Sequence, residues 1–251
     1  GSAREPKARG LLFDPADLRR MRETVTLPRF AAYWKSMRDA DLAADTAFLR
    51  DELKLNNHAQ HMLRARLILE RTAFVYALTE DPAQLTLARQ AIDRLLQYKR
   101  WDYFLEAGEH TIGLQRAPEA TIAMVSALEF LGTALPSDLR NEIEQQVAEK
   151  GGPACYRTLY GMKYPERVRG WGFDPDDVYP YRFDLRRWPL ILNSTNLKII
   201  PVAGLMMAGC RLYGKHPQAE RWIDMALQSA RAFATMYGPD GSYDEGVGYW
   251  G

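Results

Sequence analysis

Residues 196–237 read NLKIIPVAGLMMAGCRLYGKHPQAERWIDMALQSARAFATMY. The first half, 196–212, is apolar almost all round. The run Tyr213-Gly214-Lys215-His216-Pro217 is turn chemistry, and 218–237 then returns to helical spacing with one apolar and one polar face. A helix apolar on all sides must be buried, whereas an amphipathic one keeps a wet face. The pair therefore predicts a hairpin in which an inner helix is covered by an outer one.

The same form occurs twice upstream. Residues 59–78 carry Met62, Leu63, Ala65, Leu67, Leu69, Phe74 and Ala77. Thr79-Glu80-Asp81-Pro82 breaks that helix, and Pro82 opens an amphipathic one running to about residue 98. Residues 117–131 form a small-residue-rich helix. Pro136-Ser137-Asp138 opens its partner, which is expected to stop at Gly151-Gly152. Nearer the start, Asp14-Pro15-Ala16-Asp17-Leu18 combines a capping Asp with Pro at the first helical position, and 28–38 reads as a second short helix.

Three hairpins in succession, with poor strand signals throughout, predict an all-α chain. The expected architecture is an incomplete (α/α) toroid, or a solenoid, of helical hairpins over residues 1–251. Residues 1–10 read as an N-terminal arm that begins with a cloning remnant, Gly1-Ser2. Residues 156–192 read as one long irregular stretch rich in Tyr, Trp and Arg and interrupted by four prolines. Long loops in compact domains are usually functional or disordered, and the aromatic content argues against disorder.

The chain has 251 residues, enough for one large domain or two small ones. Its net charge of +1 gives no whole-molecule attraction to nucleic acid or to an anionic membrane. No apolar run reaches the roughly 18 residues of a membrane span. Cys155 and Cys210 lack CxxC spacing and sit among apolar residues, which reads as two buried thiols, with a single disulfide left open. No spacing of His, Cys and carboxylates calls for a metal, and nothing calls for a cofactor.

Three clusters carry candidate chemistry. The first is the aromatic and arginine stretch, with Trp171, Arg186 and Arg187. Aromatic faces stack on sugar rings and guanidinium forks pair with carboxylates or sulfates; a loop packed by its aromatics explains the composition equally well. The second is Leu192-Asn193-Ser194-Thr195-Asn196 at the mouth of the apolar helix. Asn193 or Thr195 suits an N-cap, while amide groups at a helix start also suit a bound carboxylate. The third is the close of the chain, where Gly246 and Gly248 leave the backbone open beside Glu245 and Tyr249. A tyrosine in a suitable environment acts as acid or base, although one in a Gly-rich loop is more often structural.

The closing GPDGSYDEGVGYWG, residues 238–251, resembles the signature of the heparinase II/III-like polysaccharide lyases and their alginate-lyase relatives. NSTNLKIIPVAGLMMAG, residues 193–209, resembles that family's Asn-containing helix start, and RGLLFDPADLRRMRE is similar to its N-terminal segment. The resemblance implies an α/α toroid followed by β-sheet domains that this chain lacks. It also implies β-elimination on a uronate-containing acidic polysaccharide or oligosaccharide, in a periplasmic or secreted protein, with neither nucleic acid nor membrane insertion involved. It makes Tyr249 the catalytic acid, and in some members the base, and Asn196 the group that neutralises the uronate carboxylate, with Asn193 as a weaker candidate.

Two departures bear on this. The neighbours of Asn196 are Thr195 and Leu197, where family members often place a histidine, and a further histidine is expected from beyond the toroid. Of the four histidines, His58, His61 and His216 read as structural, whereas His110, ahead of Arg116 at a helix entry, joins Arg116 and Glu245 as a candidate substrate contact. The chain is accordingly expected to be the N-terminal toroid portion of a longer enzyme. A glycoside hydrolase on the same scaffold and a non-catalytic carbohydrate-binding module remain as alternatives.

Overall fold

The computed structural model describes residues 10–101, 115–164 and 195–242. Among these residues all regular structure is helical, with no β-strand. The α-helices are α1 (Pro15–Thr24), α2 (Pro28–Arg38), α3 (Leu42–Ala47), α4 (Leu63–Thr79), α5 (Pro82–Gln97), α6 (Arg116–Leu131), α7 (Ser137–Gln146), α8 (Gly152–Lys163), α9 (Ile199–Arg211) and α10 (Ala219–Ala234).

Local chemistry sets the boundaries. Asp14 accepts hydrogen bonds from the Ala16 and Asp17 amides while Asp17 accepts from the Asp14 amide, a complete capping box for α1. Between α4 and α5 only two residues intervene. Glu80 closes α4 in the left-handed region at φ 59°, donating its amide to Tyr76 O, and Asp81 caps α5 through Ala83 N at 2.9 Å. So short a turn obliges the two helices to run antiparallel. Buried Leu87, Ala88, Ala91, Ile92 and Leu95 form the stripe by which α5 covers α4. Each large aliphatic side chain so buried contributes about 1.5–3 kcal/mol.

Helices α4, α6 and α9 form an inner row with α6 in the middle. They run in the same direction. At their starts, Arg116 donates from Nε to His58 O (3.0 Å) and from a terminal nitrogen to Ala59 O (2.8 Å), joining the head of α6 to the π-turn His58–Met62 that leads into α4. At their finishes, the Phe74 and Phe130 rings meet edge to face at 5.5 Å, and Arg211 pairs with Glu129 at 3.0 Å. Helix α5 backs α4, and α10 backs α9 through Trp222, Met225, Ala226 and Phe233.

Two expectations need correction. Gly151-Gly152 does not stop a helix. The chain passes from α7 through a π-turn, Val147–Gly151, straight into α8, and both glycines are right-handed helical. A Cβ on Gly151 would lie 2.2 Å from Thr121 Oγ1, and one on Gly152 would lie 2.4 Å from the Trp222 ring. These glycines permit close helix crossing rather than a left-handed cap. The irregular stretch also begins later than residue 156, because α8 continues to Lys163. The remainder of that stretch, from 165 to 192, lies outside the described residues. Besides α8, the sequence reading also left out α3, which with the π-turn Phe48–Glu52 after it buries Phe48 and Leu49. Among the described residues no helix is long and apolar enough to cross a membrane.

Candidate functional site

The starts of α4, α6 and α9 lie at one end of the inner row, and Asn196 and Arg116 lie there with them. Helix starts carry amides without intrahelical partners and the positive end of the backbone dipole. Three starts at one end gather three positive dipole ends there, although ahead of α4 the Asn57 side chain already accepts from the Gln60 and His61 amides.

Asn196 opens a 3-10 turn, Asn196–Lys198, that feeds α9. Thr195 takes the cap position in extended conformation, although its side chain makes no capping bond, and Lys198 N donates to Thr195 O at 3.1 Å. Asn196 is thus one residue inside the cap and half-buried, so its amide is not the cap.

Lys198 was not among the sequence candidates. It is 5% exposed, and burial holds its ammonium below the ordinary lysine value. A cation in the first turn also opposes the helix dipole, so its place there is costly. The signal in the sequence is slight: one lysine between Leu197 and Ile199 at the head of an apolar helix.

Arg116 was a candidate substrate contact, and the structure gives it another task. Besides holding His58 O and Ala59 O, it pairs with Glu119 at 2.7 Å. Two of its donors are therefore spent on fastening α6 to the entry of α4, and a third is taken by Glu119 on α6 itself. Glu119 also faces Arg66 at 3.5 Å, and Arg66 pairs with Glu70 at 2.8 Å. The result is a row of four largely buried charged groups, Arg116, Glu119, Arg66 and Glu70, across two neighbouring helices. Within it, burial raises the Glu70 carboxyl above its ordinary value; Arg66 acts against this and Glu119 adds to it.

Three histidines are structural, as expected. His58 Nε2 donates to Arg100 O at 3.0 Å, and His61 Nδ1 accepts from Lys54 N at 2.9 Å. His216 stacks on Trp222 with ring centroids 4.7 Å apart. Both cysteines are free, Cys155 buried and Cys210 half-buried, and burial pushes the Cys155 thiol far above its usual value. Among the described residues no three His, Cys, Asp or Glu side chains are placed to hold a metal ion. Tyr249, Glu245, Asn193, Arg186, Arg187, Trp171 and His110 lie outside the described residues.

Compared with known proteins, the chain matches no family model and no curated sequence.

Proposed function

We propose that this chain is the helical, toroid-type portion of a polysaccharide lyase that cleaves an acidic, uronate-containing polysaccharide by β-elimination. The observation that carries the reading is Asn196. It stands one residue inside a helix start, half-exposed, at the end of the row where three helix starts gather. An amide donor at the positive end of a helix dipole is suited to a uronate carboxylate. Drawing charge from that carboxylate acidifies the proton at C5. A base removes it, the C4–C5 double bond forms, the C4–O bond breaks, and an acid protonates the departing oxygen. No water is consumed. In this reading Tyr249 supplies the acid, and Asn193, Arg186, Arg187, Trp171, Glu245 and His110 are substrate contacts.

The test uses the full-length enzyme that this reading implies and follows ultraviolet absorbance of the unsaturated uronate product with heparan sulfate, chondroitin sulfate, hyaluronate and alginate. One of them is consumed with rising absorbance, and Tyr249→Phe lowers turnover by about 10²-fold or more, the usual contribution of a positioned acid or base.

One observation favours a second reading, glycoside hydrolysis. That chemistry needs two carboxylates about a scissile bond, and Glu70 and Glu119 approach one another from adjacent helices through Arg66. Cleavage that yields new reducing ends without absorbance assigns the chain to this second class.

A further inference from the structure

Helix α8 buries Gly152, Ala154, Cys155, Thr158, Leu159, Gly161 and Met162. Its remaining side, continued by one residue, consists of Pro153, Tyr156, Arg157, Tyr160, Lys163 and Tyr164. Every position there beyond the proline is a tyrosine or a cation, and α8 contains no acidic residue.

The tyrosines recur at i, i+4 and i+8, which places them on one side of the helix over about 12 Å. Tyr156 and Tyr160 stack with centroids 5.9 Å apart, and Tyr160 and Tyr164 lean together at 4.9 Å. Cations flank the row at both ends. The Arg221 guanidinium from α10 rests over the Tyr156 ring at 4.8 Å, and the Lys163 ammonium lies 5.2 Å from the Tyr164 centroid. Lys163 also donates to Gln228 Oε1, which ties the row to α10.

The row has a direction. Gly152 packs against Trp222 near the start of α10, and Lys163 reaches Gln228 further along it, so α8 and α10 run parallel. Helix α10 returns antiparallel to α9 after the 212–218 turn, so α8 advances toward the end of the molecule where Asn196 opens α9.

From this geometry we infer that Tyr156, Tyr160 and Tyr164, with Lys163 and Arg221, form a binding strip for an extended acidic polysaccharide that leads toward Asn196. The inference rests on the lyase reading for its substrate class. Half-buried rings that lean on one another offer edges and hydroxyls more than open faces. Sugar hydroxyls are suited to those groups, and uronate carboxylates to the cations beside them. A nucleobase needs an open ring face on which to stack, so single-stranded nucleic acid is the poorer fit.

The experiment is calorimetric titration of the chain with size-defined fragments of the four polysaccharides named above. It compares wild type with the triple variant Tyr156→Phe/Tyr160→Phe/Tyr164→Phe and with Lys163→Ala/Arg221→Ala. The Phe variant keeps the rings and their packing, and circular dichroism checks that its helices are intact. The expected result is affinity that rises with fragment length and falls by about tenfold or more when the three hydroxyls are removed. The Lys163→Ala/Arg221→Ala variant shows a shallower dependence on salt. Wild-type affinity and salt dependence in both variants overturn the strip, as does binding of oligothymidylate in place of every polysaccharide. Because binding is read without turnover, the two readings fail separately. Strip-dependent binding without elimination by the full-length enzyme that this reading implies refutes only the lyase, and elimination with strip-independent binding refutes only the strip.

Discussion

The two ends of the inner row are built differently. At the finish end, elements remote in sequence converge and lock. Phe13 stacks on Phe130 at 5.1 Å, Phe74 meets Phe130 edge on, and Trp34 of α2 meets Phe74 at 6.3 Å. Around them Glu129 accepts from Leu11 N and pairs with Arg211, which pairs in turn with Glu144, itself held by Lys215. The start end has aromatic contacts of its own, His58 with Tyr98 at 5.1 Å and Phe48 with His61 at 5.5 Å, but it adds an amide and a set of charges: Asn196, Lys198 and the four-membered row from Arg116 to Glu70. The finish end closes the packing of α1, α2, α6 and α9, whereas the start end concentrates polar groups at helix openings, where they are costly to maintain. On the proposed reading that contrast puts stability at one end and function at the other, and it can be broken by experiment.

The largest effect is expected at the start end and in activity. If Asn196 neutralises the substrate carboxylate, Asn196→Ala lowers turnover by about 10²–10³-fold, the scale for losing one donor to a developing negative charge. Its melting temperature stays near that of the wild type, because Asn196 is half-buried and not the cap residue. A large fall in melting temperature with turnover preserved would reverse the assignment of the two ends.

Next in size is Glu129→Ala at the finish end. The Glu129 side chain is 7% exposed and serves two partners, Arg211 and the Leu11 amide. Its removal leaves that amide without its acceptor, while Arg211 retains Glu144. Leu11 is exposed, so water can take the place of the acceptor, and the cost is about 1 kcal/mol, the net worth of a hydrogen bond, read from chemical denaturation. Loss of turnover without loss of stability would place function at the wrong end.

The same contrast separates what the sequence discloses from what it hides. Helices announced by local chemistry were legible: the Asp14 box, the Asp81 cap with Pro82, and the apolar run after Lys198. Gly151-Gly152 was misread because glycine serves two opposed purposes. It ends helices by entering the left-handed region, and it lets helices approach closely, and only the neighbours Thr121 and Trp222 decide between them. Tyr156 and Tyr160 were placed in a loop because prolines and arginines after residue 164 dominated the composition, although the i, i+4 spacing was present. Arg66 and Glu70 are a legible i, i+4 pair, but the arrival of Glu119 and Arg116 from another helix depends on how α4 and α6 dock. Of the candidate site, Asn196 was legible as a helix-start residue, whereas buried Lys198 was not.

The smallest effect, and the sharpest in sign, concerns Glu70. Burial raises its carboxyl above 4.5, with Glu119 adding to the rise and Arg66 opposing it. The folded chain therefore holds this proton more tightly than the unfolded chain. Such a group contributes stability fully below about pH 4.5, and the contribution is lost as pH climbs through the raised folded value. At neutral pH the ionised Glu70 costs more in burial than Arg66 returns. Glu70→Gln keeps the shape and removes the titration. Its melting temperature is expected to exceed that of the wild type at pH 7, and the gap narrows as the pH is lowered toward 4.5, where the wild-type carboxyl takes up its proton. Thermal melts across that range give the answer. A variant less stable than the wild type at pH 7 would mean that the pair with Arg66 outweighs burial, and the Arg116–Glu119–Arg66–Glu70 row would then belong with the locks of the finish end, not with the polar groups held at cost beside Asn196.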